Sequence, residues 1–343
     1  MPKALARRAL VVAAGLLAAV PAFAPPAFAQ ENVRMILNWR LEGPNAPFFL
    51  AEDRGFFRAE GITLRMDPGE GSSAPIGRIA AGTYDAGFGD INTLIEFTAR
   101  QPERRVVTAM VLYTRPPMAV VSLARANINR PQDLAGRRVG APQNDTGFRL
   151  FPAFATLAGI DPARVNFQSV TPQLRETLLV RGDVEAVTGF DSTVWFGLKG
   201  LGVRREDVRF MYYGDHGVDV LSNSILVSTE MAERRPQVVA GLVRAITRGW
   251  IEAIRDPRAA VAHIARREAL LDPALETERL QWVIDNQIRT PEALANGIGH
   301  VEPERLNRAI GIVAQGFSLP RVPAASEILD TRFLPAAPLR RIN

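Results

Sequence analysis

Residues 82–113 read GTYDAGFGDINTLIEFTARQPERRVVTAMVLY, and this stretch decides the fold. Asp85 to Gly89 is a short run of small and apolar residues after a glycine turn, and it predicts a strand. Asn92 to Arg100 predicts a helix, and Val106 to Tyr113 a strong strand. Working outward, Val33 to Leu37 is a first strand and Ala46 to Arg54 a helix. Ile62-Thr63-Leu64 follows the Glu60-Gly61 turn as a second strand, and Ala74 to Ala81 is a helix that ends at Gly82. Strands alternating with helices at this spacing predict an α/β sheet with helices on both faces.

A second series of the same kind begins near Met118. Ala119 to Ser122, Arg138 to Ala141, Val165 to Val170, Val184 to Gly189 and Val208 to Tyr212 read as strands. Between them, Arg130 to Leu134, Gly147 to Ala158 and Leu174 to Arg181 read as helices. Ser224 to Val227 looks like a return strand. From Met231 the chain is mostly helical, with Val238 to Arg255 set between Pro236 and Pro257. Arg258 to Arg267, Glu276 to Ile288 and Pro303 to Phe317 follow, and the proline-rich tail after Leu319 reads as irregular. The expected division is residues 30–115 and 219–343 in a first lobe and 116–218 in a second. Two crossings then make a hinge around a central cleft.

The N-terminus has the three parts of a secretory signal: Lys3, Arg7 and Arg8, then the apolar run Ala9 to Val20, then Ala27-Phe28-Ala29. The run is shorter than the roughly 20 residues a membrane span needs. Cleavage is expected after Ala29, with release to the periplasm. Of the 41 basic side chains, Lys3, Arg7 and Arg8 lie in this segment, so the remainder carries 38 against 36 acidic ones. No basic cluster argues for nucleic acid. With no cysteine, the exported chain has no disulfide and no lipid-accepting thiol after the signal. His216, His263 and His300 show no metal-ligand spacing, so no metal is expected.

Several motifs occur in order. Asn38-Trp39 precedes Asn45-Ala46-Pro47-Phe48-Phe49-Leu50-Ala51 and Gly55-Phe56-Phe57-Arg58-Ala59-Glu60-Gly61-Ile62. Gly69-Glu70-Gly71-Ser72-Ser73, Gly82 to Asp90, and Asp133-Leu134-Ala135-Gly136-Arg137-Arg138-Val139-Gly140 follow. Together these resemble the ABC-importer binding proteins of the nitrate, sulfonate and taurine type, and more closely the branch that binds pyrimidine precursors of thiamine. The resemblance covers most of residues 33–230. It implies a periplasmic binding protein fold of type II, a small-molecule ligand, and an ABC permease with its ATPase as partners, with no cofactor. Yeast relatives of that branch are thiamine-pyrimidine synthases with a cysteine-rich motif. This chain has no cysteine, so the expectation is a binding protein and not an enzyme.

In open α/β sheets ligands bind beyond the C-terminal strand ends. The candidate ligand residues are therefore Asn38, Trp39, Asn45, Gly71, Ser72, Ser73, Asp90, Asn92, Tyr113, Asn144, Asp145, Thr146 and Asp191. Trp39 offers a stacking face, and the glycine-serine loop offers backbone N–H groups ahead of a helix. Trp195 and Phe196 either wall the pocket or simply pack. The aspartates either accept from ligand N–H groups or merely cap helices. With Arg115 and Arg149 near the loops but unplaced, carboxylates beside an indole favour a flat, nitrogen-bearing ligand over a sulfonate or nitrate. The competing readings are a binding protein for a sulfonate, taurine, nitrate or aromatic acid, a pyrimidine-synthesising enzyme on the same fold, and a sensor that docks on a membrane receptor.

Overall fold

The computed structural model describes residues 30–103 and 105–342. The signal segment 1–29 and its cleavage after Ala29 lie outside the described residues. Ten strands form two five-stranded sheets. The first sheet runs β2 (Ile62–Asp67), β1 (Glu31–Ile36), β3 (Ala86–Asp90), β10 (Asn223–Ser228), β4 (Val106–Val111). The second runs β7 (Asn166–Ser169), β6 (Arg138–Ala141), β8 (Ala186–Phe190), β5 (Met118–Leu123), β9 (Val208–Tyr212).

The two sheets repeat one plan. In each, the second strand of the row pairs in parallel with its two neighbours, β1 with β2 and β3, and β6 with β7 and β8. In each, one antiparallel strand is inserted next to the third, β10 against β3 and β5 against β8. Those inserted strands are the ones that cross between lobes, so the chain passes from sheet to sheet at residues 112–117 and 213–222. The crossings pair with each other. Leu112 and Tyr113 donate backbone N–H bonds to the Asn223 carbonyl at 3.0 and 2.9 Å, and Ser222 donates to Tyr113 at 3.0 Å.

Burial explains the strand compositions. Every residue of β3, β4, β5 and β8 is buried, as expected for strands covered by helices on both faces. The edge strand β7, Asn-Phe-Gln-Ser, is largely exposed and polar. The longest helix, Pro236–Arg255, buries an apolar stripe that includes Val239, Leu242, Val243, Ile246 and Trp250. Its Gly249 is required by close packing, because a Cβ there would sit 2.4 Å from the Pro47 carbonyl oxygen.

The C-terminal helices touch both lobes. The Pro273–Val283 helix packs on residues 43–45 of the first lobe and on the Asp191–Gly200 helix of the second. The Pro303–Gly316 helix packs on the Ile91–Arg100 and Thr146–Leu157 helices, one from each lobe. The tail is more ordered than its prolines predict. Ala325–Ile328 is a helical turn, Leu329 bridges to Thr108 of β4, and Ile328 and Phe333 are buried. Apolar burial outweighs the local turn chemistry there. Two short helices, Phe56–Ala59 and Pro291–Asn296, carry too few residues to show a period in the sequence.

Candidate functional site

In both sheets every strand except the inserted β10 and β5 points its C-terminal end at the seam between the lobes. In the first lobe the chain leaves β1 through Leu37 to Asn38 and Trp39. The loop after β2 is tied to this turn, since Gly69 donates to the Trp39 carbonyl at 2.9 Å and Gly71 to the Asn38 carbonyl at 3.0 Å. Asn45 Nδ2 donates to Asn38 Oδ1 at 3.1 Å and fixes that amide. Ser72 is buried, and its carbonyl accepts from the Asp90 N–H at 2.8 Å. Ser73 crosses the seam, donating its N–H to the Asn144 carbonyl at 3.3 Å. Gly71 makes that approach possible: with φ of 146° its missing Cβ would fall 2.1 Å from the Asn144 oxygen.

In the second lobe Asp145 caps the Thr146–Leu157 helix, accepting from the Phe148 N–H at 3.0 Å and the Thr188 hydroxyl at 2.9 Å. Burial pushes its carboxyl above the usual carboxylate range, against the opposing pull of Arg175 and these donors. Arg175, 1% exposed, donates to Glu176 Oε1 from Nε and Nη2 at 2.9 and 2.6 Å and to the Thr188 carbonyl at 3.2 Å. Its Nη1 lies 3.5 Å from Asp145. Its guanidinium sits 5.1 Å over the Trp39 ring, a cation–π contact between lobes.

Between these groups lies a gap walled by Asn38, Trp39 and Ser72 on one side and Asp145, Arg175, Phe190 and Thr193 on the other. Its volume is about 10 Å³, room for about one water-sized group. A ring enters only if the lobes part at the hinge. Buried charge around the seam is mainly acidic, with Glu42, Asp145, Glu176, Asp191 and Glu276 against Arg175 and Arg279.

Of the residues expected from sequence, Asn38, Trp39, Ser72 and Asp145 wall the gap. Asn45, Gly71, Ser73 and Asn144 hold its loops together. Asp90 is fully buried and caps the Ile91–Arg100 helix through the N–H groups of Asn92 and Thr93, and burial raises its pKa to about 6. Asn92 bonds Asp90 and the Leu221 carbonyl. Tyr113 packs edge-on against Phe88 and Trp250, at 5.5 and 6.4 Å. Thr146 is 1% exposed, and its hydroxyl has no partner among the described residues. Asp191 accepts from the Ser192 N–H, the Tyr212 hydroxyl and Trp282 Nε1, at 2.6, 3.2 and 3.1 Å. Burial raises the Asp191 pKa to about 6 against these three donors.

Arg175 and Phe190 escaped the sequence reading. Arg175 opens the helix after β7 and Phe190 ends β8, so the strand-end rule reaches both. Arg149 and Arg115, left unplaced by the sequence, are outside the gap: Arg149 pairs with Glu96 across the seam at 3.1 Å. His300 lies with Glu292 and Glu302, their ligand atoms within 4.8 Å of one another, but these groups already bond Arg305 and Asn296.

A sequence profile described as NMT1/THI5 like matches residues 44–260. A 4-amino-5-hydroxymethyl-2-methylpyrimidine phosphate synthase of Legionella pneumophila is 24% identical over 90% of this chain and 94% of its own length. A riboflavin-binding protein of Chloroflexus aurantiacus is 27% identical over 70% of this chain and 68% of its own. A formylaminopyrimidine-binding protein of Halalkalibacterium halodurans is 25% identical over 67% of this chain and 68% of its own. Among solved structures, the alkanesulfonate-binding protein of Xanthomonas axonopodis pv. citri superposes with a TM-score of 0.66 at 14% identity, covering 87% of this chain and 97% of its own. The periplasmic aliphatic sulphonate-binding protein of Escherichia coli gives 0.65 at 14% identity, covering 88% and 92%. The fold is therefore that of the periplasmic binding proteins. The expectation of a non-enzyme does not stand. A second relative, from Schizosaccharomyces pombe, also bears the synthase name, so two relatives of this chain are named as enzymes.

Proposed function

We propose that this chain, which belongs to the NMT1/THI5-like family, captures a flat nitrogen-bearing molecule of the pyrimidine type between its lobes and delivers it to an ABC permease and its ATPase outside the inner membrane. The observation that carries the reading is the wall of the gap, where the Trp39 indole and the Phe190 ring lie with the Asp145 carboxylate and the Ser72 hydroxyl. Aromatic faces suit a flat ring, and a carboxylate accepts from ring or amino N–H groups. A sulfonate or nitrate would meet a seam whose buried charge is mainly negative. The one guanidinium on the wall, Arg175, is already bonded to Glu176 and Thr188.

The names of two relatives agree with this chemistry, since formylaminopyrimidine and riboflavin both present flat nitrogen rings. The leader pattern of residues 1–29 supports export. Among the described residues no helix is long and apolar enough to cross a membrane. In the working cycle the lobes part, Arg175 leaves the Trp39 face, the ring takes its place and the lobes close. Binding energy then selects the closed form that a permease reads.

A second reading is synthesis of the pyrimidine in this cleft, favoured by the synthase relative that aligns over 90% of the chain. Two measurements separate the readings. A thermal-shift screen of aminopyrimidines, taurine and nitrate, followed by calorimetry, should show binding of an aminopyrimidine and not of the anions. A cytosolic version starting at Gln30 should fail to support growth of a bacterium that requires the hydroxymethylpyrimidine. Growth would move the conclusion to the synthase.

A further inference from the structure

We propose a second ligand site, for a small aromatic carboxylate, in an aromatic pocket that straddles the lobe seam away from the Trp39 gap. The pocket is an open hollow of about 370 Å³, within the size range of small-molecule sites. Phe148 and Phe151 reach it from the Thr146–Leu157 helix, Phe167 from β7, and Phe317 from the end of the Pro303–Gly316 helix. The Phe148 and Phe151 rings meet Phe167 edge-on, with centroids 5.0 and 4.7 Å away. A further ring can join such a cluster in the same edge-to-face manner.

Charge at the rim selects the ligand class. Arg149 borders the pocket with its side chain 43% exposed and donates to Glu96 Oε2 at 3.1 Å. Arg100 binds the same carboxylate at Oε1, at 3.2 Å. One carboxylate therefore serves two guanidiniums and leaves a net positive charge beside an apolar pocket. Among the described residues Arg149 makes no other side-chain hydrogen bond, so its remaining N–H groups are available to an acid. Glu96 belongs to the first lobe and Arg149 to the second, so the pocket is complete only while the lobes are together. An occupant favours that arrangement. Its lining is distinct from that of the central gap, and the two are linked only through the position of the lobes.

Benzoate is the probe, with benzyl alcohol and acetate as controls for charge and ring, read by saturation-transfer NMR and calorimetry on the chain from Gln30. Benzoate is expected to bind and the controls not to. Arg149→Gln and Phe148→Ala should each weaken benzoate about tenfold or more, with melting temperatures confirming that both variants fold. Trp39→Ala, whose side chain lies outside this pocket, should weaken benzoate less than Arg149→Gln does. Absence of benzoate binding, equal binding of benzyl alcohol, or loss in Trp39→Ala with Arg149→Gln unaffected would each overturn the proposal; the last would place the acid in the central gap.

Discussion

Trp39 carries the most weight of any single residue. It is 6% exposed, its Nε1 has no partner among the described residues, and its face is covered by Arg175 from the opposite lobe. Trp39→Ala is expected to weaken binding of an aminopyrimidine roughly tenfold or more, the scale of about 1–3 kcal/mol for a ring stacked on an aromatic side chain; unchanged affinity by calorimetry would remove Trp39 from the pocket. Asp191 gives a pH prediction. Its carboxyl, raised to about 6 from 3.8, keeps its proton in the folded state at pH values where the unfolded chain has lost it. Between about pH 4 and 6 the folded state therefore binds more protons, and this residue's contribution to stability falls as pH rises. The stability of the wild type relative to Asp191→Asn should decline by a few kcal/mol at most across that window; a difference that does not change with pH in denaturant melts would refute it. At this scale position in the sequence located most of the residues that wall the candidate gap. Asn38, Trp39, Ser72 and Asp145 follow strands, and a positional rule finds them. Arg175 follows β7 too, but it reads as a helix-surface arginine beside the half-exposed Leu174. Its burial comes from Glu176, Asp145 and Trp39, partners that no local pattern brings together.

Among the elements, the Pro273–Val283 helix stands out because it grips both lobes. Arg279 lies 2.8 Å from Glu42 and donates to the Thr193 carbonyl at 3.4 Å, while Trp282 Nε1 donates to Asp191. Gly43 donates to Glu276 at 2.5 Å. Arg279 is 3% exposed, so Arg279→Ala would strand two buried carboxylates and is expected to cost about 3–5 kcal/mol. A loss below about 1 kcal/mol in denaturant unfolding would show that Glu42 and Glu276 find other partners. This helix also marks where sequence reading stops. Strands such as β3, β4 and β8 were legible because burial on both faces makes them continuous apolar runs. The helix itself was legible from Glu276 onward, but its partners were not. Attachment to both lobes depends on four polar contacts whose residues lie between 86 and 237 positions apart in the chain, and such pairing leaves no periodic trace.

For the whole molecule, two sheets of the same plan face each other across a hinge made of two hydrogen-bonded crossings. The repeated plan was legible as two series of alternating strands and helices, and the crossings fell where one series ended and the next began. The width of the gap was not legible, because it depends on how the lobes rest on each other. With about 10 Å³ between Trp39 and Asp145, a ring enters this gap only if the lobes part. Solution scattering in excess aminopyrimidine should show a population at least as compact as this structure, and a ligand-induced expansion would contradict closure over the ring. The most direct test is a crystal structure with formylaminopyrimidine bound. The ring should lie against the Trp39 indole in place of the Arg175 guanidinium, with an N–H about 2.7–3.2 Å from Asp145. A ring seated away from the seam, with Arg175 still over Trp39, would contradict the account.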